Sequence, residues 1–195
     1  TTRDLRRIGG NDPALYNRFY IPAPGPAQLY KRELPVDPYL LGLVIVRGFV
    51  DHEKIRLRFP PNAKGKRRIP ERLAAWVTAM HARFGLVQDS RSGVYWHVTK
   101  PKTVVKAMVE QVGLGQRRTR WRIPKDYLLS DVQDRANLLF GLLDGEKVVM
   151  AAKGRIIGLG SFDMATDVVE LIRSLGGEAR VEMAARNTTW RVDII

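Results

Sequence analysis

Two long stretches of the chain each contain an apolar run with a glycine inside it. Residues 34–48 read LPVDPYLLGLVIVRG, and residues 123–146 read IPKDYLLSDVQDRANLLFGLLDGE. The glycine within each apolar run is Gly42 in the first stretch and Gly141 in the second. The pattern predicts two apolar helices, the first ending at about Val46 and the second at Asp144.

Shorter patterns fill the chain between and after these two stretches, and they occur in a similar order in each half. Alternating or β-branched segments predict strands, and apolar residues at helical spacing predict helices. The predicted elements in chain order are a strand at 54–59, a helix at 73–84, a strand at 93–99, a helix at 102–112, strands at 148–152 and 155–159, a helix over 163–177 and two closing strands. This repeated order predicts an α+β fold whose two halves are related by a pseudo-dyad.

The domain organisation follows from length and from the distribution of proline, glycine and charge. A chain of 195 residues suits one substantial core, or two small pseudo-repeats that share one. Residues 1–36 include the proline-rich IPAPGPAQLY, which cannot form a regular helix or strand, so we expect a lead-in strap. Residues 37–195 form the predicted domain, with halves at about 37–112 and 123–195 and a basic linker at 113–122.

Charge gives the first indication of a partner. The 33 Lys and Arg residues outnumber 20 Asp and Glu residues, so the formal net charge is +13 and nucleic acid is the first candidate. No apolar run approaches the ~20 residues needed to span a bilayer, and the N-terminus lacks a signal-peptide core. We therefore expect an intracellular, cytoplasmic protein, associated with the nucleoid when bound to DNA. The absence of Cys and the scattered positions of three His argue against a zinc site.

The two glycine-containing stretches resemble the motif helices of the LAGLIDADG homing endonucleases, in particular the single-chain, two-motif type found within inteins. The resemblance continues into residues 163–177, DMATDVVELIRSLGG, and the strand-like EARVEMAA and TTWRVDII that follow. It covers most of the chain and implies two pseudo-symmetric αββαββα-like halves. In that family the motif helices meet at the central interface, and two sheets form a saddle over duplex DNA.

The resemblance also implies where chemistry would occur. Active members hold one acid at the end of each motif helix, which binds Mg²⁺ or Mn²⁺ and positions water for phosphodiester hydrolysis. Alignment places Glu146 at the second acid as the metal ligand, with Asp144 beside it, and places Arg47 at the first. Arg is always protonated and only donates hydrogen bonds, so it cannot bind a metal. Asp51 could substitute as a ligand, although a solvated turn residue is its more ordinary role.

Small residues would let the two motif helices approach closely at a pseudo-dyad. Gly141 and Gly145, four residues apart, provide such a face in the second helix, and Gly42 provides part of one in the first. Val46 stands where the family usually has a second glycine, so we expect a looser or shifted crossing there.

Basic residues fall into groups that suit different contacts with DNA. Arg is the preferred side chain for guanine edges, whereas basic residues in loops suit phosphates. The alternative for each group is an ordinary solvated surface. The predicted strand positions, where Glu182 also lies, are Arg56, Arg58, Arg180 and Arg191; the loop positions are Lys64, Lys66, Arg67 and Arg68; the linker positions are Arg117, Arg118 and Arg120.

These observations leave three functions open. The first is sequence-specific binding of double-stranded DNA by a monomer whose cleavage is impaired by Arg47. The second is an active endonuclease making double-strand cuts or nicks, and the third is an RNA-binding maturase. The chain begins Thr1-Thr2 and ends at Ile195 without the residues that intein splicing requires, so we expect an endonuclease insert separated from its splicing domain.

Overall fold

The computed structural model describes residues 25–51, 54–58, 75, 86–88, 95–98, 110, 121–145, 149–151, 154–183 and 190–195. The first half contains α1 (Pro38–Arg47), β1 (Gly48–Asp51), β2 (Lys54–Arg58), β3 (Leu86–Gln88) and β4 (Tyr95–Val98). The second half contains α2 (Lys125–Leu128), α3 (Val132–Gly145), β5 (Val149–Ala151), β6 (Gly154–Leu159), α4 (Phe162–Ser174), β7 (Ala179–Met183) and β8 (Trp190–Ile194). Ala75 and Glu110, which lie within two further predicted helices, are helical.

Each half of the protein contributes one antiparallel sheet of four strands. The strand order is β1-β2-β4-β3 in the first sheet and β5-β6-β8-β7 in the second, so the two sheets have the same topology. The opening hairpins match as well, because Asp51 pairs with Lys54 in one and Ala151 pairs with Gly154 in the other. The predicted α+β fold with two equivalent halves is therefore confirmed.

Helix α1 is defined by its two ends. The Asp37 side chain accepts a hydrogen bond of 3.0 Å from the Leu40 amide, which caps the first turn, and proline occupies the first helical position. The helix ends at Arg47, and extended Gly48 begins β1 without an intervening loop. A Cβ on Gly48 would lie 2.6 Å from the Val44 carbonyl oxygen, so this junction requires glycine.

The second motif is not one continuous helix, which corrects the sequence prediction. Helix α2 ends at Leu128, and α3 begins only at Val132. Between them Asp131 accepts a hydrogen bond of 2.8 Å from the Asp134 amide, and the Ser130 hydroxyl donates to the Asp134 carboxylate at 2.7 Å. Ser and Asp side chains that hydrogen-bond to nearby backbone groups favour helix caps over helix interiors, so a new helix begins here.

The hydrophobic core lies between α1, α3 and the two sheets. Helix α1 contacts α3, β1 and β2, and its residues 38–45 are all buried. Helix α4 contacts β6, β7 and β8, and its apolar face is buried on that sheet. Leu57 of β2, Leu159 of β6 and Val192 of β8 complete the core from the sheet side. Helix α1 is thus packed between the first sheet and α3, and α3 also contacts α4, which lies on the second sheet.

The described part of the lead-in, residues 25–36, is an irregular and mostly exposed segment tied to the second half. The Ala27 amide donates to the Ser174 carbonyl oxygen at 2.9 Å, where α4 ends. The Tyr127 hydroxyl both donates to the Val36 carbonyl oxygen at 2.9 Å and accepts from the Val36 amide at 3.1 Å. Burial raises the pKa of Tyr127 well above its ordinary value.

Arg135 fastens the same segment from inside the protein. This fully buried guanidinium donates to the carbonyl oxygens of Ser130 at 2.9 Å, of Ser174 at 2.6 Å and of Ala27. Burial lowers its pKa, and the carbonyl oxygens supply the partners that a buried cation requires. Arg135 therefore joins the lead-in, the start of α3 and the end of α4.

Candidate functional site

The closest approach of the two halves is the contact between α1 and α3. A Cβ on Gly42 would collide with the Leu138 carbonyl oxygen, and a Cβ on Gly141 would collide with the Tyr39 carbonyl oxygen. The two contacts are reciprocal, because each glycine faces the carbonyl three residues earlier in the opposite helix. The Cβ position of Gly141 also lies 3.0 Å from the Cα of Gly42. The pseudo-dyad therefore passes between these glycines.

This reciprocity sets the correspondence between the two helices. With Gly42 equivalent to Gly141, the count along each helix makes Val46 equivalent to Gly145 and makes Arg47 equivalent to residue 146. Glu146 itself lies outside the described residues. Arg47 is thus at the first-motif position that corresponds to Glu146 in the second.

Val46 and Gly145 pack against each other one turn below the central glycines. A Cβ on Gly145 would lie 3.2 Å from the Cβ of Val46. The helices stay close because one partner of this pair has no side chain. The valine in the first motif is accommodated by the glycine across from it.

Arg47 lies at the carboxyl end of the neighbouring helix. Its Nε donates a hydrogen bond to the carbonyl oxygen of Gly145, which is the last residue of α3. The final carbonyls of a helix have no partner within the helix and carry the negative end of its dipole. A guanidinium is well matched to that position. The chain therefore places a permanent cation at the helix junction.

Asp144 forms a link between the two motif helices. The Tyr39 hydroxyl of α1 donates to an Asp144 carboxylate oxygen at 3.1 Å, and the Asp144 residue is half-buried. Its equivalent in α1 is Ile45, which is buried. Sequence reasoning placed Asp144 beside Glu146 as a catalytic acid. In the structure its carboxylate is engaged in the helix interface.

The described side chains at this junction do not match a two-acid metal centre. Arg47 donates only, and across the described ranges no group of three or more His, Cys, Asp or Glu side chains is arranged to hold a metal ion. Asp51 lies beyond the end of the helix, where it closes β1 opposite Lys54. Metal binding here would depend on Glu146.

The predicted DNA-contacting residues divide between described and undescribed parts of the chain. Arg56 and Arg58 lie in β2, in register with His97 and Tyr95 of β4. The loop and linker positions fall outside the described residues, and these are Lys64, Lys66, Arg67, Arg68, Arg117, Arg118 and Arg120.

The second sheet brings Arg180 and Arg191 together with two carboxylates. We call Arg180, Glu182, Arg191 and Asp193 the charged tetrad: Arg180 is directly opposite Asp193, and Glu182 is opposite Arg191. The nitrogen–oxygen distances are 3.0 Å for Arg180–Glu182, 3.9 Å for Arg180–Asp193 and 3.8 Å for Arg191–Glu182. Sequence reasoning missed Asp193, although the alternation of Arg191, Val192 and Asp193 places it on the same strand face as Arg191.

A second unpredicted contact anchors the end of the linker. The Arg122 guanidinium donates to both carboxylate oxygens of Asp167, at 2.8 and 2.6 Å, and the Ile123 amide donates to the same carboxylate at 2.9 Å. Asp167 is only 1% exposed, and its hydrogen bond and charge raise the pKa of Arg122. This arginine therefore joins the last residue of the linker to α4.

Comparison with solved structures identifies the architecture. No protein-family model matches the sequence, and a search of curated proteins gave no match. A variant of I-DmoI in complex with its target DNA, nicked in the coding strand and with manganese present, superposes with a TM-score of 0.53 at 14% identity, covering 83% of this chain and 88% of that one. I-DmoI with DNA and Mn gives 0.52 at 13% identity, covering 83% and 89%.

Structures of mesophilic variants of the homing endonuclease I-DmoI match equally well, with a TM-score of 0.52 at 13% identity over 83% of this chain and 88% of that chain. The likeness therefore extends over more than four-fifths of each protein. The chain shares the fold of this homing endonuclease.

Proposed function

We propose that this protein binds double-stranded DNA sequence-specifically as a LAGLIDADG homing endonuclease-like monomer with impaired metal-dependent cleavage. The observation that carries the proposal is Arg47, a permanent cation bound to the end of α3 at the first-motif position equivalent to Glu146. The shared fold supports DNA as the partner, because I-DmoI in that fold is seen with target DNA.

Charge supports the same partner independently of the fold. A net charge of +13 favours a polyanion, and neutralising phosphates releases condensed counterions from the duplex. In the proposal, the loop and linker basic residues contact phosphates and the sheet arginines contact base edges. In the part of the chain that the structure describes, no helix is long and apolar enough to cross a membrane.

The physical reason for impaired cleavage is local. Mg²⁺ requires hard oxygen ligands, and a guanidinium in the position of one acid removes a ligand and adds a repelling charge. When bound in an active member of this family, the metal supplies an activated water and neutralises phosphate charge. Here Arg47 instead fixes the helix junction by donating to Gly145.

An active endonuclease is the second candidate. One observation favours it, since the same fold is seen in I-DmoI with its target DNA nicked and manganese present. In this alternative a single centre containing Glu146 cuts or nicks with Mg²⁺ or Mn²⁺. For either candidate, we propose origin from an intein on the basis of the motif sequences, and an intracellular location on the basis of a net charge that favours nucleic acid.

A randomised duplex library distinguishes the two candidates. The protein is incubated with the library and Mg²⁺ or Mn²⁺, and the bound and cut fractions are sequenced separately. The proposal predicts that a defined sequence is enriched in the bound fraction and that this sequence is not cut or is only nicked slowly. A cut fraction with one enriched site, lost in Glu146→Ala, would establish the active enzyme instead. If no sequence were enriched in either fraction, the proposal of sequence-specific DNA binding would be wrong.

A further inference from the structure

The described part of the lead-in passes from one half of the protein to the other. Its last residue, Val36, directly precedes Asp37, which caps α1 in the first half. Its hydrogen bonds to other elements, however, are made to the second half, where they reach α2, α3 and the end of α4. The segment therefore connects the start of one motif helix to the elements that surround the other.

Tyr127 of α2 makes the connection that lies nearest to α1. Its hydroxyl donates to the Val36 carbonyl oxygen at 2.9 Å and accepts from the Val36 amide at 3.1 Å. Both residues are buried. Because one hydroxyl binds both backbone groups of Val36, the start of α1 cannot tilt or slide past α2 without breaking two buried hydrogen bonds.

Arg32 makes a second connection at the protein surface. Its guanidinium donates to the Asp126 carboxylate at 2.9 Å and to the Leu129 carbonyl oxygen at 3.1 Å. Leu129 directly follows α2, at the end where helix carbonyls have no partner within the helix. Ala27, nearer the beginning of the segment, is bound by the buried Arg135. These contacts hold the segment against the second half along its length.

A contact near the start of α1 resists rotation of one half against the other. The two motif helices meet at Gly42 and Gly141, where no side chain stands between the backbones to oppose rotation. A helix rises about 1.5 Å per residue, so Val36 lies roughly 9 Å from Gly42 along α1. The hydrogen bonds of Val36 therefore oppose rotation about the glycine crossing with a lever arm of about that length.

Rotation of α1 would move the first sheet with it. The helix contacts β1 and β2, and β1 begins at Gly48 without an intervening loop. A tilt of roughly 10° moves a point about 20 Å from the crossing by about 3.5 Å, which is close to one base-pair step. A small change in the angle between the motif helices therefore changes the separation of the two sheets by a whole base-pair step.

We propose that Tyr127, supported by Arg32, is a positioning residue that sets the spacing between the two segments of duplex DNA that the sheets contact. The inference rests on the proposed function, in which both sheets bind one duplex. A fixed separation of the sheets admits one number of base pairs between the two segments, just as the separation of paired domains fixes half-site spacing in dimeric DNA-binding proteins. In this role Tyr127 and Arg32 act through α1 and not by contacting DNA.

Two variants remove these contacts one at a time. Tyr127→Phe removes the hydroxyl that binds Val36, and Arg32→Met removes the guanidinium. Tyr30→Phe and Lys31→Met are the matched controls, because both residues are exposed. Circular dichroism checks that every variant is folded. Arg32 is itself exposed, so its variant keeps the test available even if Tyr127→Phe does not fold.

The first measurement is the separation of the sheets without DNA. The chain contains no Cys, so Asp51→Cys and Ala151→Cys provide two labelling sites at equivalent hairpin positions of the two sheets. Double electron-electron resonance measures the distance between spin labels at these sites. The inference predicts that the distance distribution broadens by a distance on the order of one base-pair step in Tyr127→Phe, by less in Arg32→Met, and not in the controls. Identical distributions in all proteins would overturn it.

The second measurement uses the duplex that wild type selects from a randomised library. One base pair is inserted or deleted between the two contacted segments, and the affinity of each protein for the original and altered duplexes is measured. The affinity penalty for altered spacing should be about 5- to 10-fold smaller in Tyr127→Phe than in wild type, the factor expected for the loss of one or two hydrogen bonds. The preference for bases within each segment should be unchanged, and the controls should match wild type.

Three results of this second measurement would contradict the inference. Equal spacing penalties in wild type and both lead-in variants would show that the lead-in does not set the spacing. A changed preference at single base positions with an unchanged spacing penalty would indicate altered contacts with DNA in place of altered sheet separation. If wild type selects no site, the proposed function and the spacing role are both wrong, and the distance measurement then still decides whether the lead-in fixes the sheets.

Discussion

At the scale of single residues, backbone atoms of one motif helix restrict which side chains the other helix can have at the crossing. Gly42 and Gly141 face carbonyl oxygens of the opposite helix at distances that no side chain tolerates. Their place in two apolar runs was visible in the sequence, and the resemblance between those runs predicted that Arg47 corresponds to Glu146. The hydrogen bond from Arg47 to Gly145 was not, because it depends on the helices ending side by side.

Substitution of Gly141 tests this contact. In Gly141→Ala the new methyl group collides with the Tyr39 carbonyl oxygen, and the helices must separate. We expect a loss of about 1–3 kcal/mol in the free energy of unfolding, as for other overpacked sites. Urea titration provides the measurement, with Gly25→Ala as the control, because a Cβ at Gly25 meets nothing within 4 Å. Equal stability of the two variants would contradict the described crossing.

Removal of one hydroxyl tests the role of Asp144. Tyr39→Phe leaves the half-buried carboxylate without its partner across the helix interface. We expect a loss of about 1–3 kcal/mol in unfolding free energy, which is the usual cost of leaving a buried acceptor without a hydrogen bond. Tyr30→Phe is the matched control, since Tyr30 is 92% exposed. If Tyr39→Phe changed the unfolding free energy no more than the control does, the hydrogen bond between Tyr39 and Asp144 would not contribute to stability.

At the scale of elements, the sequence predicted most helices and strands but missed their local boundaries. Strand β1 was missed because it follows α1 directly, with no turn residue other than Gly48 to mark it. Strand β3 has only three residues, too few for an alternating pattern. The break between α2 and α3 depends on Ser130 and Asp131 binding Asp134, which overrides the apolar periodicity around them.

Contacts between elements were harder to predict than the elements. Asp193 pairs with Arg180 through the register of β7 and β8, and Asp167 of α4 binds Arg122, which is distant from it in the sequence. Both depend on three-dimensional placement that a single sequence does not specify. The tetrad and the linker anchor therefore emerged only from the structure.

The attachment of the lead-in to α2 gives a prediction about pH. Burial raises the folded-state pKa of Tyr127, so the folded protein holds the phenolic proton more tightly than the unfolded chain. Its contribution to stability is complete below the unfolded pKa of about 10 and is lost as pH rises above that value. Urea titrations between pH 9 and 11 should show a steeper fall in stability for wild type than for Tyr127→Phe. If the stabilities of wild type and Tyr127→Phe fell equally with pH, the raised pKa of the Tyr127 hydroxyl would be contradicted.

At the scale of the whole molecule, a pseudo-symmetric fold with a net charge of +13 is expected to hold duplex DNA mainly through phosphates. A plot of the logarithm of the association constant against the logarithm of the salt concentration should have a slope of roughly −0.9 per phosphate contacted. Arg67→Ala with Arg68→Ala should weaken binding to all sequences alike and make that slope shallower. Fluorescence anisotropy at several salt concentrations measures both effects, and an affinity indifferent to salt would count against DNA as the partner.

The central claim is that a permanent cation at the first-motif position, and not loss of DNA recognition, limits cleavage. The most direct measurement compares cleavage of the selected duplex by wild type and by Arg47→Asp in Mg²⁺, at protein concentrations that saturate binding in both. An acid at residue 47 restores an oxygen ligand, which is worth several kcal/mol, on the order of a thousandfold in rate. The account predicts specific cleavage by Arg47→Asp, with none or only slow nicking by wild type. Efficient double-strand cleavage by the unmodified chain, abolished in Glu146→Ala, would contradict it.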